Sequence, residues 1–219
     1  MRTWLSWSSG KDSAWALAAL RKDPEVELVG LLTTLNGSAE RVAMHAVRRE
    51  LLERQARSAG LPLIQVELPW PCSNEDYQER MAAACARAES EGVEAIAFGD
   101  LFLEDVRAYR EEQLAPTRLR PLFPLWGLET GALAREMIDA GLRATLTCID
   151  EAKLDASFAG AAYDHALLER LPEGVDPCGE KGEFHSFAWD GPMFAEPIPV
   201  ELGELRSDAG FCYRDLKPL

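Results

Sequence analysis

The chain has 219 residues, of which 47% are hydrophobic, so it is long enough for one domain with a substantial core or for a domain with a small appendage. Its formal net charge of -14 at pH 7 argues against a nucleic-acid partner, because the phosphate backbone would be repelled. The five cysteines are scattered and form no Cys-x-x-Cys pair, which is typical of reduced thiols. No apolar run approaches transmembrane length and the first strand leaves no room for a signal peptide, so we expect a cytoplasmic protein without a membrane segment.

The first motif follows a short apolar run at residues 4–7. It is a polar turn that leads into a helix, with the sequence Ser8-Ser9-Gly10-Lys11-Asp12-Ser13. A strand, a tight turn and a helix start aim backbone N–H groups and the positive end of the helix dipole at one point, which favours phosphate binding. The spacing is not that of a Walker A loop, since Leu5 and Asp12 stand where that loop needs glycine and serine or threonine. The alternative is an ordinary corner capped by Asp12 or Ser13.

Strands and helices alternate along the following residues. Strands are predicted at 26–35, 61–68, 93–98 and 143–149, and helices at 43–59, about 74–91 and 128–140. This order predicts an α/β fold, a Rossmann-like parallel sheet with helices on both faces, whose strands continue to about residue 150. Segment 120–127 contains two prolines, so we expect an edge strand or an extended crossing segment there.

Several candidate residues lie where predicted strands end. Leu32 and Thr33 close the second strand, and Gly99 and Asp100 follow the strand at 93–98, so all four are expected at the ligand crevice of the sheet. Asp100 offers a carboxylate for Mg²⁺ or for an amine, although it is equally suited to cap a helix. His45 lies in the first turn of the helix at 43–59, where it either faces a nucleotide or remains a surface residue.

Two further candidates come from residues 104–127. The helix after Asp100 is highly charged, and most of its charges are typical of a solvated face. Arg107 is our choice for an anion-binding exception within it. Trp126 either walls a pocket or packs in the core.

A second dense motif spans residues 176–187. Its part from residue 178 to residue 185 combines two glycines, two carboxylates, a thiol and a histidine, namely Cys178, Gly179, Glu180, Gly182, Glu183 and His185. An ordinary glycine-rich turn before a strand is the alternative. The order of these residues follows no known metal-ligand spacing, so a metal centre is not expected here.

The first motif resembles the S-G-G-x-D-S pyrophosphate loop of the N-type ATP pyrophosphatases, with Ser9 in place of the first glycine. That replacement has a modest cost if the backbone is left-handed there. Together with Met44-His45, Phe98-Gly99-Asp100, Arg107, the segment 124–127 and the motif from Cys178 to His185, the chain resembles the diphthine-ammonia ligase family, of bacterial type. This family belongs to the adenine nucleotide alpha hydrolase-like superfamily. His185 departs from archaeal and eukaryotic members, which tend to carry an acidic residue at this position.

The resemblance implies an ATP-binding α/β domain at 1–127 and a smaller α+β domain at 128–219 on the acceptor side. It implies ATP and Mg²⁺, with Asp100 as the candidate metal ligand. The nucleotide side would comprise Ser8, Ser9, Gly10, Lys11, Asp12, Ser13, Leu32, Thr33, His45 and Gly99. The catalytic residues would be Lys11, Asp12, Asp100, Glu180 and Glu183, and the acceptor would contact Arg107, Trp126, Cys178, Gly179, Gly182 and His185.

The resemblance also implies a reaction in which ATP adenylates a carboxylate, releasing pyrophosphate, and ammonia displaces AMP. The acceptor is either a protein, as in family members that amidate diphthine on elongation factor two, or a small molecule such as a cobalamin-related compound. A non-catalytic ATP sensor and a tRNA thiolation enzyme remain as rival classes, the latter opposed by the acidic charge. Whether the protein forms a homodimer is left open by the sequence.

Overall fold

The first sheet is built around β1 and carries the first motif. The computed structural model describes residues 1–36, 47–219 and the backbone of 41–42. Its first six strands are β1 (Arg2–Ser6), β2 (Glu27–Asn36), β3 (Arg41–Val42), β4 (Leu63–Leu68), β5 (Ala95–Ala97) and β6 (Arg120–Leu122). Five of them pair in parallel in the order β4-β2-β1-β5-β6, and β3 pairs antiparallel with the end of β2.

Helices cover both faces of this sheet, as the alternating pattern predicts. The helices are α1 (Lys11–Leu20), α2 (Arg49–Ala59), α3 (Asn74–Ser90) and α4 (Glu104–Leu114). Apolar residues of α1 and α2 pack with Leu5 and Leu31 on one face, whereas those of α3 and α4 pack with Trp4 and Ile96 on the other. The predicted Rossmann-like α/β class is confirmed.

The second sheet is smaller and antiparallel. After α5 (Thr130–Asp139) come β7 (Arg143–Asp150), a 3-10 turn at Ala156–Phe158, α6 (His165–Arg170), β8 (Phe184–Asp190), β9 (Val200–Asp208) and β10 (Phe211–Pro218). The strand order is β8-β7-β10-β9. The expectation that the first sheet continues to about residue 150 is therefore wrong. β7 is buried along nearly its whole length, and a strand buried on both faces has the same sequence pattern in either kind of sheet.

The local signals that delimit the elements agree with the structure in several places. Ser73 caps α3 in a capping box with Asp76, and Gly60 ends α2 in a left-handed conformation. Pro121 lies in β6 at the sheet edge, where a missing N–H is tolerated. The helix predicted from residue 43 begins at Arg49, and residues 43–46 lie outside the described part of the chain. Among the described residues no helix has the length and hydropathy to cross a membrane.

One buried glutamine joins the two sheets at the first motif. Gln55 of α2 accepts a hydrogen bond from Trp7 Nε1 at 3.0 Å and donates Nε2 to the carbonyl of Ser9 at 3.0 Å and to that of Ala188 at 2.6 Å. The amide of Ala188, in β8, also donates to the Ser9 carbonyl at 3.0 Å. The second sheet is thus held against the turn that follows β1.

We expect Gln55→Met to lower the free energy of unfolding by about 2–4 kcal/mol, because it leaves an indole N–H without its acceptor and a carbonyl without its donor in the interior. The measurement is urea denaturation. The matched control is Gln65→Met, since Gln65 is only partly buried and makes one long bond of 3.4 Å to Glu53. Equal losses in both variants would contradict a joining role for Gln55.

Candidate active site

The first motif forms a tight turn with a left-handed residue. Ser9, which stands in place of a glycine, has φ +70° and is fully buried, so the modest cost of a left-handed backbone applies here. Gly10 is the N-cap of α1 and no side chain caps the helix, so the alternative of a corner capped by Asp12 or Ser13 is wrong. Ser13 Oγ donates instead to the carbonyl of Gly10 and shares a hydrogen bond of 3.1 Å with Ser8 Oγ. The N–H groups of the first turn of α1 therefore need partners from outside the helix, and Ser186 Oγ is such a partner for the Lys11 amide, at 3.2 Å.

The Gly99–Asp100 corner lies directly against this turn. A Cβ at Gly99 would stand 3.0 Å from the carbonyl carbon of Asp12 and 3.1 Å from the amide nitrogen of Ser13. Only glycine lets the end of β5 approach the start of α1 so closely. Asp100 does not cap α4, because that helix begins after Leu103.

A small cavity of about 260 Å³ lies between the two motifs. Many of the predicted site residues line it: Ser8, Gly10, Lys11, Asp12, Ser13, Gly99, Asp100, Gly179, Glu180, Gly182 and His185. Arg110 and Ser186, which the sequence analysis did not single out, line it as well. The structure thus brings the two motifs, 160 or more residues apart in the chain, to one site.

Lys11 is held inside the protein and does not reach freely into this cavity. Its side chain is 2% exposed, and Nζ donates to both carboxylate oxygens of Asp12, at 2.8 and 2.9 Å, and to the carbonyl of Cys178. The rings of Tyr163 and Phe184 lie 5.4 and 5.3 Å from Nζ. Burial alone would lower the pKa of Lys11, but Asp12 raises it above its usual value, so the ammonium stays charged. Lys11 thus joins the two motifs through its bonds to Asp12 and to the Cys178 carbonyl.

Glu180 presents a carboxylate to the cavity from the second motif. Its Oε1 accepts the amide of Leu101 at 2.8 Å. Burial raises the pKa of Glu180 to about 7, with Asp12 and Asp100 adding to the rise, while the Leu101 amide opposes it. A carboxyl that titrates near neutrality is suited to exchange protons at physiological pH.

Asp176 shapes the loop that carries Glu180. Its Oδ1 accepts the amides of Cys178 and Glu180 at 2.9 and 3.2 Å, and its Oδ2 accepts the hydroxyl of Thr130 at 2.6 Å. Gly179 has φ +69°, and a Cβ there would lie 2.9 Å from the carbonyl of Phe184. The glycine-rich sequence is thus needed for a tight loop. Asp176, the first residue of the second motif, was not among the predicted site residues.

Glu183 and Cys178 lie beneath the cavity and do not line it. Glu183 is 2% exposed at the start of β8, and its Oε1 accepts the amide of Asp176 at 3.1 Å. Cys178 is buried, and burial raises the pKa of its thiol to about 12. Their predicted roles, Glu183 as a catalytic residue and Cys178 as an acceptor contact, are thus not supported by the lining of this cavity and stay predictions. Cys178 contributes its carbonyl, through Lys11.

The predicted anion-binding arginine is one turn away from the residue that lines the cavity. Arg107 pairs with Glu111 at 2.8 Å and stacks on Phe123 and Trp126, so neither Arg107 nor Trp126 lines this cavity. Arg110 does line it, with its Nε 3.5 Å from Asp100 Oδ2. Both of those atoms are buried and make no hydrogen bond. Burial raises the pKa of Asp100, and Arg110 opposes the rise.

A second, larger cavity of about 990 Å³ opens beside the small one. Leu32 and Thr33 line it, and the buried Thr33 Oγ1 has no hydrogen-bond partner. His185 lines both cavities, and burial lowers its pKa to about 4, so the ring is neutral at physiological pH. His45 lies outside the described residues.

We expect Lys11→Met to lower the free energy of unfolding by about 2–4 kcal/mol, because it leaves the Asp12 carboxylate and the Cys178 carbonyl without their donor. Adding Asp12→Asn should restore part of this loss, since the uncompensated charge is then removed. Lys181→Met, at an exposed lysine of the second motif, is the control. The denaturation midpoint is measured for all three variants. A midpoint of Lys11→Met equal to that of the parent protein would contradict the role of Lys11 in joining the two motifs.

Nuclear magnetic resonance of carboxyl carbons tests the environment of Glu180. We expect one glutamate side-chain resonance to titrate near pH 7 and to be absent from Glu180→Gln. The raised pKa means that the carboxyl is protonated below this pH and charged above it. If the resonance lost in Glu180→Gln titrates near 4.5 in the parent protein, the described burial is wrong.

Known proteins similar to the chain fall into one family. The family models "Diphthamide synthase N-terminal domain" and "Diphthamide synthase C-terminal domain" match residues 1–114 and 129–217. The diphthine–ammonia ligase of Danio rerio is 28% identical over 184 residues, covering 75% of this chain and 71% of the relative. Those of Homo sapiens and Rattus norvegicus are 28% and 26% identical, each covering 90% of this chain and 82% of the relative. The predicted family is confirmed, and the chain belongs to the diphthamide synthase family.

Proposed function

We propose that the protein is an ATP-dependent ligase that joins ammonia to a carboxylate and forms AMP and pyrophosphate. The observation that carries the proposal is that the first motif and the Glu180 carboxylate line one small cavity. The relatives named diphthine–ammonia ligase support the same reaction type. A sensor without catalysis is not favoured, because both domains of an enzyme family match the chain.

The reaction has two steps. First, a carboxylate oxygen attacks the α-phosphorus of ATP, and the bond to the bridging oxygen breaks, which releases pyrophosphate and leaves an acyl adenylate. Ammonia then attacks the acyl carbon, the carbon–oxygen bond to AMP breaks, and one proton is lost as the amide forms. The site must therefore stabilise phosphate charge in the first step and accept a proton in the second.

The two motifs divide these tasks. N–H groups at the start of α1 donate to the phosphates, and Arg110 supplies the cationic side chain that Lys11 does not offer. Glu180 accepts the proton that ammonia loses, which its pKa of about 7 permits. Thr33, with its unpaired hydroxyl in the neighbouring cavity, faces the adenosine. Unit 1–127 thus supplies the phosphate contacts, and unit 128–219 supplies the group that accepts the proton.

Mg²⁺ fits the site as an ion that binds together with ATP, and not as an ion held by protein ligands alone. Within the described chain no group of three or more histidine, cysteine or carboxylate side chains is arranged to hold a metal ion. Magnesium in such enzymes takes one or two carboxylates and the phosphate oxygens of the substrate. Asp100, whose buried Oδ2 makes no hydrogen bond, would hold it. Bound there, the ion would neutralise charge on the phosphates.

Product analysis tests the reaction class. The protein is incubated with ATP, magnesium, ammonium and a series of carboxylates, and the nucleotides are separated by ion-exchange chromatography. We expect AMP and pyrophosphate in equal amounts in the presence of a suitable acceptor. Formation of ADP and orthophosphate would overturn the proposal.

Two arginines of α4 form a matched pair for testing nucleotide binding. We expect Arg110→Gln to weaken MgATP binding by about 10- to 100-fold, since one charge-assisted contact to phosphate is lost. Arg107→Gln, at a residue outside the small cavity, should change the Kd less than about twofold. Isothermal titration calorimetry measures both. Equal effects in the two variants would exclude a specific role for Arg110.

A further inference from the structure

The larger cavity is a groove between α3 and α4 on one face of the parallel sheet. Ile96 and Phe98 form part of its floor. Tyr77, Met81 and Cys85 of α3 line one side, four residues apart along the helix and so on one face. Tyr109 and Gln113 of α4, also four apart, line the other side. The walls are thus largely apolar.

The two helices leave this space because they bury few side chains. In α3 the buried residues are Ala84, Cys85 and Ala88, and in α4 only Leu114 is buried. A gap of about 990 Å³ between packed elements is at the upper end of the range of ligand pockets, about 300–1,000 Å³. It is larger than a nucleoside requires, so an adenosine beside Thr33 leaves most of the groove for a second molecule.

The groove is continuous with the small cavity. Both are lined by Ser6, Ser8, Phe98, Arg110 and His185. A molecule that lies along the groove therefore brings one end to the phosphate-binding turn. The guanidinium of Arg110 lies at this junction, and a guanidinium can bind a carboxylate through two hydrogen bonds.

Charge distinguishes the two ends of the groove. Glu89 and Glu112 line its other parts, and Glu89 pairs with Arg118 at 3.4 Å. Among the described residues that line the groove, Arg110 is the only lysine or arginine, so a second carboxylate on the ligand would find no cationic partner. An uncharged apolar body is accommodated by the tyrosine, methionine and phenylalanine walls. The groove thus suits a molecule with one carboxylate at one end.

We propose that the groove between α3 and α4 binds the apolar body of a small-molecule monocarboxylic acid, and that this acid is the acceptor of the ligase reaction. Its carboxylate lies at the junction beside Arg110, where it attacks the α-phosphorus of ATP. The acceptor role rests on the proposed function; occupancy of the groove is measured separately.

Two alanines of α3 give a matched pair of variants. Ala86 lines the groove and Ala83 does not, and both are exposed, so a tryptophan is tolerated at either position without loss of the core. The probe for direct binding is 11-(dansylamino)undecanoic acid, followed by fluorescence. We expect the probe to bind the parent protein and Ala83→Trp alike and Ala86→Trp at least about tenfold more weakly, with the Kd for MgATP changed less than about twofold in both.

Turnover completes the test. Pyrophosphate release with ATP, magnesium and ammonium is measured for straight-chain and arylalkyl monocarboxylic acids and for dicarboxylic acids of equal length. We expect the monocarboxylic acids to stimulate release in the parent protein and Ala83→Trp, with at least about a tenfold loss in Ala86→Trp. Weaker MgATP binding by Ala86→Trp would assign the groove to adenosine and overturn the inference.

Equal probe binding by both variants would also overturn it. If only peptide carboxylates stimulate release, the acceptor is a protein and the inference is wrong while the proposed function stands. If the probe binds but no carboxylate yields pyrophosphate, the proposed function fails and the acceptor role fails with it.

Discussion

The site depends on one buried ammonium group. Lys11 at the start of α1 binds Asp12, its neighbour, and the carbonyl of Cys178 in the second motif, between two aromatic rings. A buried charge without partners costs several kcal/mol. Lys11 has all of its partners only when the first motif and the loop of residues 176–183 are in place together. Gln55 makes a parallel connection through Ser9 and β8. The first motif and the loop of residues 176–183 are therefore built as one unit, although they are attached to different sheets.

In this arrangement the charge of Lys11 stabilises the fold, whereas the charges of Arg110 and Asp100 are presented to the cavity. Lys11 is neutralised inside the protein, while Arg110 and Asp100 face the cavity with buried atoms that make no hydrogen bond. Glu180 is oriented by the amide of Leu101 and by a loop that Asp176 holds through two backbone amides. A site whose polar groups are oriented before the substrate arrives stabilises developing charge without reorganisation, which is the largest contribution to catalysis in many enzymes.

Much of this could be predicted from the sequence where the cause is local. The strand, turn and helix of the first motif and the edge position of Pro121 follow from backbone preferences of a few residues. Side-chain direction across the fold could not be predicted. Arg107 and Arg110 lie on the same charged helix, and only the fold shows that Arg110 stacks on Phe98 at the cavity. Glu183 carries the same chemistry as Glu180, yet the turn at Gly182 directs it inward.

A crystal structure with magnesium and α,β-methylene-ATP tests the central claim, that Lys11 joins the two motifs while Arg110 meets the phosphates. We predict phosphate oxygens within hydrogen-bond distance of the amides at the start of α1 and of the Arg110 guanidinium, with Lys11 Nζ still bonded to Asp12 and to the Cys178 carbonyl. A structure in which Lys11 leaves Cys178 and binds the phosphates, with Arg110 remote from them, would contradict the account.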